Sequence, residues 1–384
     1  MVMYLTKEEE KMLNGEYGRA EQLAIRTIVK VGEALGATKL IEVRHVHVSG
    51  ISYFNIGDAG LEFIRDLARY DAKVKVFSTL NPLAFDLDLG VNESKNVEFV
   101  KKQLEIINYL LDMGFTPSFT CTPYVIRRPK LGEHLSWAES SAVAYANTVY
   151  GARTNREGGP LALLSALIGR TYYAGVHVIE NRRPRVLIDV KVKVRSVGEA
   201  GLLGYIVGDL SKHRIPYIRG VNYFTNTMVK SFCAALATSS SLPMCIIEGI
   251  SPETHLLDEG LLEEKIIVDE ALIKEYIDKL PINVRAPNTF FIGCPHVSIL
   301  DLEHVVNLLM PERLRCIVSM NRFTYWYLNI TGIMSYLQRK GINIVKDTCI
   351  VVSPYLATDI VSNSMKAVYY VDRMHHKKVK LYLQ

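Results

Sequence analysis

The chain predicts an α/β protein with largely parallel sheets covered by helices on both faces. Two observations carry this. Segments with apolar residues spaced by three and four alternate almost throughout with short β-branched runs bounded by Gly or Pro, the pattern of repeated βαβ units. Three apolar runs also end in a short polar motif holding one cysteine: Cys121 in SFTCTPY, Cys294 in FFIGCPH and Cys349 in VKDTCIVV. Strand ends are where open α/β sheets place their chemistry.

Taken in order, the spacing predicts a helix from about Lys7 to Leu35, broken near Gly15 and Gly18. KLIEVRHVHVSG follows as one strand with a polar end. Next come helix DAGLEFIRDLARY, strand KVKVFSTLNP, helix NVEFVKKQLEIINYLLDMG and strand TPSFTCTPY. WAESSAVAYANTVYGA is a helix of small residues suited to close packing, and PLALLSALIGR is a second helix. RPRVLIDVKVKV is a strong strand. Alternation then resumes through AGLLGYIVGDLSK, MVKSFCAALATS, NTFFIGCPH, SILDLEHVVNLLM, LRCIVSM, TGIMSYLQRKG and NIVKDTCIVV. No repeat, low-complexity tract or long linker divides the chain. Boundaries are expected near Lys130 and Pro281, giving units 1–130, 131–280 and 281–384.

A chain of 384 residues can bury two or three domain-sized cores. Its formal charge of +5, from 45 basic and 40 acidic residues, does not argue for nucleic acid and suits a small anionic substrate equally well. The basic run His375-His376-Lys377-Lys378 reads as a solvated tail. The opening MVMYLTKEEEKMLNGEYG is acidic where a secretory signal needs an apolar core, and no apolar stretch reaches membrane-spanning length. A cytoplasmic protein is expected, and disulfides are rare there. The six cysteines are then core residues or ligands. Cys233, Cys245 and Cys316 have mostly apolar neighbours and read as core. Cys121, Cys294 and Cys349 have Thr, Pro, Gly, Asp or His beside them. Three thiolates from separate segments can hold an iron–sulfur cluster with one iron left open as a Lewis acid. With long gaps and no CxxC, spacing alone favours ordinary burial over a metal role.

Other motifs carry two readings each. GARTNREGGP crowds Arg153, Asn155, Arg156 and Glu157 ahead of a helix start. Gly158 and Gly159 permit close backbone approach, and Pro160 fits the first helical position. It is either a carboxylate or phosphate site or a solvated interhelix loop. In HVHVSG, alternation points His45 and His47 the same way; His47 contacts substrate or is a structural histidine. In GCPHVS, His296 donates to a substrate or cluster atom, or merely starts a helix. In WAESSAV, Glu139, Ser140 and Ser141 fit a helix cap. In SNSMK, Lys366 is a mobile point charge for an anion, or the segment is a turn.

In chain order, HVSGISYFNIGDAG, STLNP, TCTPY, WAESSAVAYANTVYGARTNREGGP, GCPH and DTC followed by SNSMK resemble the large subunit or catalytic region of the aconitase X family. The resemblance runs from about Tyr4 to the C-terminus. It implies an aconitase-like fold, with three α/β/α domains around an iron–sulfur cleft. It implies a [4Fe–4S] cluster with one open iron site on Cys121, Cys294 and Cys349, and iron–sulfur hydro-lyase chemistry. It also implies a small swivelling-domain subunit as partner, with a serine as base, since no such domain follows Gln384. Ser362 stands where the family more usually has Thr, which leaves a hydroxyl in place. The family's activities are dehydration of (R)-5-phosphomevalonate to trans-anhydromevalonate 5-phosphate and of cis-3-hydroxy-L-proline; a detached large subunit favours the first. A non-catalytic iron–sulfur scaffold is the reading of another class. The catalytic candidates are His47, His296 and Glu139. The substrate-binding candidates are Ser141, Arg153, Asn155, Arg156 and Lys366.

Overall fold

The computed structural model describes residues 3–88, 96–221, 223–280, 287–307, 314–356 and 360–383. In chain order the strands are β1 (Leu40–Glu42), β2 (Val46–Val48), β3 (Ser78–Leu80), β4 (Ser136–Trp137), β5 (Arg170–Tyr172), β6 (Val186–Val190) and β7 (Pro216–Arg219). They continue with β8 (Ile246–Ile247), β9 (Glu264–Val268), β10 (Thr289–Val297), β11 (Arg315–Met320), β12 (Ile342–Lys346), β13 (Ile360–Ser362) and β14 (Val379–Leu381). Among the described residues they form four sheets, ordered β1-β5, β3-β2-β4, β8-β7-β6-β9 and β12-β11-β10-β13-β14. Only β1 and β5 pair antiparallel; the other three sheets are parallel throughout. Parallel strands flanked by helices lose water on both faces. That is why β2, β3 and β10 are buried along their whole length. The predicted α/β class is therefore observed.

Several elements differ from expectation for local reasons. The run KLIEVRHVHVSG is two strands, not one. Between them the N–H of Val43 turns to the Gly169 carbonyl and that of Arg44 to the His134 carbonyl. TPSFTCTPY is not a strand. Pro117 has no N–H to donate, Phe119 lies at φ +39°, and the Ser118 hydroxyl bonds both the N–H and the carbonyl of Leu80. The segment thus meets β3 only at an isolated bridge of Thr116 with Thr79 and through the Thr120 N–H on the Leu80 carbonyl, without forming a strand. In KVKVFSTLNP only Ser78–Leu80 pair. The strand in NIVKDTCIVV ends at Lys346, because Asp347 takes φ +63°, so Cys349 lies past the strand end. The first helix breaks as expected, into Lys7–Leu13 and Arg19–Ala34. β4 lies beyond Lys130 and yet completes the sheet of β2 and β3.

Close packing needs glycine where β10 meets β11. At Gly293, φ is +122° and a Cβ would fall 2.4 Å from the Ser319 carbonyl oxygen. Small residues likewise let the helix Val197–Ser211 approach Asn226–Ser240: a Cβ on Gly204 would meet the Phe232 carbonyl at 2.2 Å. No helix among the described residues is long and apolar enough to cross a membrane.

Candidate active site

The carboxyl edges of two parallel sheets meet. In β12-β11-β10-β13 the chain runs outward from Lys346 to Cys349, from Ile292 to Cys294 and from Ser362 to Ser364. The strand order reverses direction between β10 and β13, the position where such sheets bind ligands. In β3-β2-β4 the same edge offers Asn81 and Glu139. The edges are joined at Leu83 and Thr348, whose backbones bridge and whose Thr348 hydroxyl donates to the Leu83 carbonyl.

Three cysteines come together there. Cys121, Cys294 and Cys349 keep 7%, 7% and 6% exposure, whereas Cys233, Cys245 and Cys316 keep 0%, 0% and 1%. The first three thus keep a little exposure, and Cys349 lies in the field of both Cys121 and Cys294. Burial raises each of their thiol pKa values, Cys349 to about 12. The nearby Glu139 carboxylate adds to this at all three, while Lys366 opposes it at Cys121 and Cys294. Such thiols do not ionise unaided; a metal's positive charge is what makes them ligands. No group of three or more His, Cys, Asp or Glu among the described residues converges on a single ion. A multinuclear cluster, which takes one thiolate per iron, asks for a wider arrangement.

His296 ties the three cysteine segments together. It follows Cys294 by two residues. Its N–H donates to Cys121 Sγ at 3.2 Å, and its Nε2 donates to the Thr348 carbonyl at 2.9 Å, next to Cys349. The Ser319 hydroxyl donates to the same carbonyl. Burial lowers the His296 pKa to about 4, so the ring is neutral. With Nε2 protonated to meet a carbonyl, Nδ1 carries the lone pair, and it has no partner among the described residues.

Glu139 caps the helix Ser140–Tyr150 and pairs with Lys366, the second residue of the helix Met365–His375. Lys366 Nζ also reaches Ser140 Oγ at 3.2 Å and Ser141 Oγ at 3.4 Å. Burial pushes the Glu139 carboxyl up. The Lys366 charge and the bonds from Lys366, Ser141 and Asn81 outweigh it, leaving the pKa at about 2. Burial alone would lower the Lys366 pKa; the Glu139 charge and the thiol sulfurs raise it instead. Behind this pair runs a hydrogen-bond chain. His45 Nε2 meets Thr79 Oγ1 at 2.7 Å, Thr79 Oγ1 meets His47 Nδ1 at 2.8 Å, His47 Nε2 meets Asn81 Oδ1 at 3.2 Å, and Asn81 Nδ2 donates to Glu139 at 3.0 Å. Burial holds His47 neutral, at a pKa of about 4. The assignment that satisfies every bond protonates both histidines at Nε2 and runs donor to acceptor from His45 to Glu139. His47 is fully buried and reaches the site only through Asn81 and Glu139.

The arginine loop is knitted into its surroundings. Asn155 holds the Ala174 carbonyl at 3.2 Å and the Val176 N–H at 3.0 Å, so its amide is spent on backbone. Arg156 Nη1 donates to the Ala237 carbonyl at 2.9 Å. Arg153 lies in the field of His134, His177 and Arg182, and its buried Nε has no partner among the described residues. The structure thus gathers Cys121, Cys294, Cys349, His296, Glu139, Ser141 and Lys366, and leaves the side chain of Asn155 elsewhere. Sequence reasoning missed Asn81 and Ser364, although both lie in motifs it had singled out. Ser364 caps its helix by accepting from the Ala367 N–H at 3.1 Å and also hydrogen-bonds the Cys294 sulfur.

Parallel sheets meeting at a thiol-lined edge define an aconitase-like α/β protein. Descriptions of one family match the chain in succession: aconitase X first domain over residues 2–180, second domain over 184–278 and third domain over 287–382. The chain belongs to the aconitase X family. A crystal structure of Thermococcus kodakaraensis aconitase X in its holo-form superposes with TM-score 0.91 at 36% identity, covering 99% of this chain and 97% of that one. The phosphomevalonate dehydratase large subunit of Methanocaldococcus jannaschii is 40% identical, over 96% of this chain and 95% of its own. The cis-3-hydroxy-L-proline dehydratase of Pseudomonas aeruginosa is 30% identical over 97% of this chain, which spans 67% of that enzyme.

Proposed function

We propose that this chain is the large subunit of a phosphomevalonate dehydratase. It would convert (R)-5-phosphomevalonate to trans-anhydromevalonate 5-phosphate in a modified mevalonate route to isoprenoids, in the cytoplasm, using a [4Fe–4S] cluster on Cys121, Cys294 and Cys349. The observation that carries the reading is the meeting of three buried but slightly open thiols beside the Glu139–Lys366 pair. Relatives named phosphomevalonate dehydratase large subunit, matched along nearly their whole length, support the substrate.

When bound, the cluster supplies an iron without a thiolate ligand, a Lewis acid for the substrate hydroxyl. The chain's own residues do the rest. Lys366 stays protonated and offers positive charge beside the thiols, where the substrate carboxylate must be neutralised before C2 can lose a proton. Glu139 stays ionised and fixes Lys366, and Ser140 and Ser141 orient that ammonium from one side. His47, through Asn81, sets the direction of the Glu139 carboxylate. His296 holds the thiol segments, and its Nδ1 lone pair orients a substrate hydroxyl by accepting a hydrogen bond; with Nε2–H spent on Thr348 the neutral ring does not donate to the departing group. The phosphate falls to Arg156 of the glycine-rich loop, whose backbone bridges Trp137 two residues before Glu139. The C2 proton goes to a serine of a small swivelling-domain subunit.

The test is anaerobic co-expression with the small subunit and assay of 5-phosphomevalonate beside cis-3-hydroxy-L-proline. The pair should dehydrate the phosphorylated substrate, and the isolated chain should be nearly inactive. Turnover of hydroxyproline alone would move the chain to the other activity.

A further inference from the structure

Lys230 plays no part in the chemistry above, yet it is a buried cation beside the strand that carries Cys294. It lies on the helix Asn226–Ser240 at 6% exposure. Its Nζ pairs with Asp301 and donates to the His296 carbonyl at 2.7 Å. Asp301 in turn accepts from the Ser298 N–H at 2.8 Å, from Ser298 Oγ at 2.6 Å and from Thr227 Oγ1 at 2.9 Å. Lys230, Cys294 and Ser364 share the lining of one small cavity. The lysine therefore grips the backbone of the residue that organises the site. The His296 N–H is held by Cys121 Sγ and its carbonyl by Lys230, so neither φ nor ψ at His296 can turn without breaking a hydrogen bond. A buried ion pair adds little stability over apolar residues of the same volume, so what this one supplies is a fixed geometry.

We propose that Lys230 is a positioning residue of the thiol site. With Asp301 it locks the His296 carbonyl, so that the same residue keeps its N–H on Cys121 and its Nε2 on the Thr348 carbonyl. The three cysteine segments stay in register as a result. The lock rests on geometry alone; its consequence for metal rests on the cluster reading.

Two measurements on the full chain test it. Lys230→Met alone leaves Asp301 buried without its cation and can fail to fold. Lys230→Met/Asp301→Asn removes both charges and keeps an acceptor for Ser298. In the metal-free protein, iodoacetamide labelling followed by mass spectrometry gives a rate for each cysteine. In the double variant Cys121 and Cys294 should label about tenfold faster, since local opening no longer breaks the Lys230 bond, while Cys233 and Cys245 keep their rates. After anaerobic loading, the variant should yield its iron to a chelator at about ten- to a hundredfold weaker affinity, the usual loss when a group supporting a ligand is removed. Unchanged labelling at Cys121 and Cys294, or a uniform rise at all six cysteines, overturns the lock. Faster labelling with wild-type iron retention overturns its role toward the cluster. If the wild type itself loads no iron, the cluster reading fails while the labelling still decides the lock.

Discussion

Glu139 and Lys366 are 227 residues apart in sequence and form a buried pair at the centre of the site. Lys366→Met should leave the carboxylate buried and uncompensated, costing about 3–5 kcal/mol in urea denaturation. Lys366→Met/Glu139→Gln should recover most of that stability while dehydration stays lost. Equal stability of the single and double variants would mean that the pair is not buried as described. A second residue reports on pH. Burial raises the Glu157 carboxyl from 4.5 to about 7, with the Tyr172 hydroxyl bond only partly opposing it. The folded chain keeps this proton where the unfolded chain has lost it, so the contribution to stability falls as pH rises from 4.5 to about 7. Glu157→Gln should flatten that fall when unfolding is followed at pH 5 and pH 8; an unchanged pH dependence would contradict it. Residue types and motif boundaries were legible here: Cys121, Cys294, Cys349, Glu139 and Lys366 all came from polar motifs. Their partners were not. Nothing local indicates that Lys366 meets Glu139, or that the His296 N–H meets Cys121. Asn155 looked like a ligand group because an amide in a glycine-rich loop has the same appearance whether it binds substrate or backbone.

The elements that carry the site are β10, β11 and β12 with the turns beyond them. Apolar periodicity identified these strands, because parallel strands buried on both faces read as continuous β-branched runs. It did not identify the segment around Cys121, where Pro117, Phe119 at positive φ and the Ser118 side chain replace strand pairing. β9 was also missed: its exposed Glu264 and Lys265 hide the pattern at a sheet edge. The close approach of β10 to β11 gives a prediction at this scale. Gly293→Ala places a methyl against the Ser319 carbonyl and strains a φ of +122°. It should cost about 1–3 kcal/mol and displace Cys294, lowering iron uptake more than Cys233→Ala does. Normal iron uptake with normal stability would show that the strands can separate freely.

Across the whole molecule, the parallel sheets alternate with helices as the periodicity requires, but sheet order was illegible because it depends on contacts between distant strands. Cys121 lies in the first unit and Cys294 and Cys349 in the third, so a cluster shared by them would tie these parts of the chain together. The central claim is that these three cysteines, and not the other three, are the ligands. Its most direct test is iron, sulfide and visible absorption measured for each Cys→Ala variant after anaerobic reconstitution. Cys121→Ala, Cys294→Ala and Cys349→Ala should each lose most of the cluster, while Cys233→Ala, Cys245→Ala and Cys316→Ala keep it. A cluster that survives Cys349→Ala and disappears in Cys233→Ala or Cys316→Ala would contradict the account.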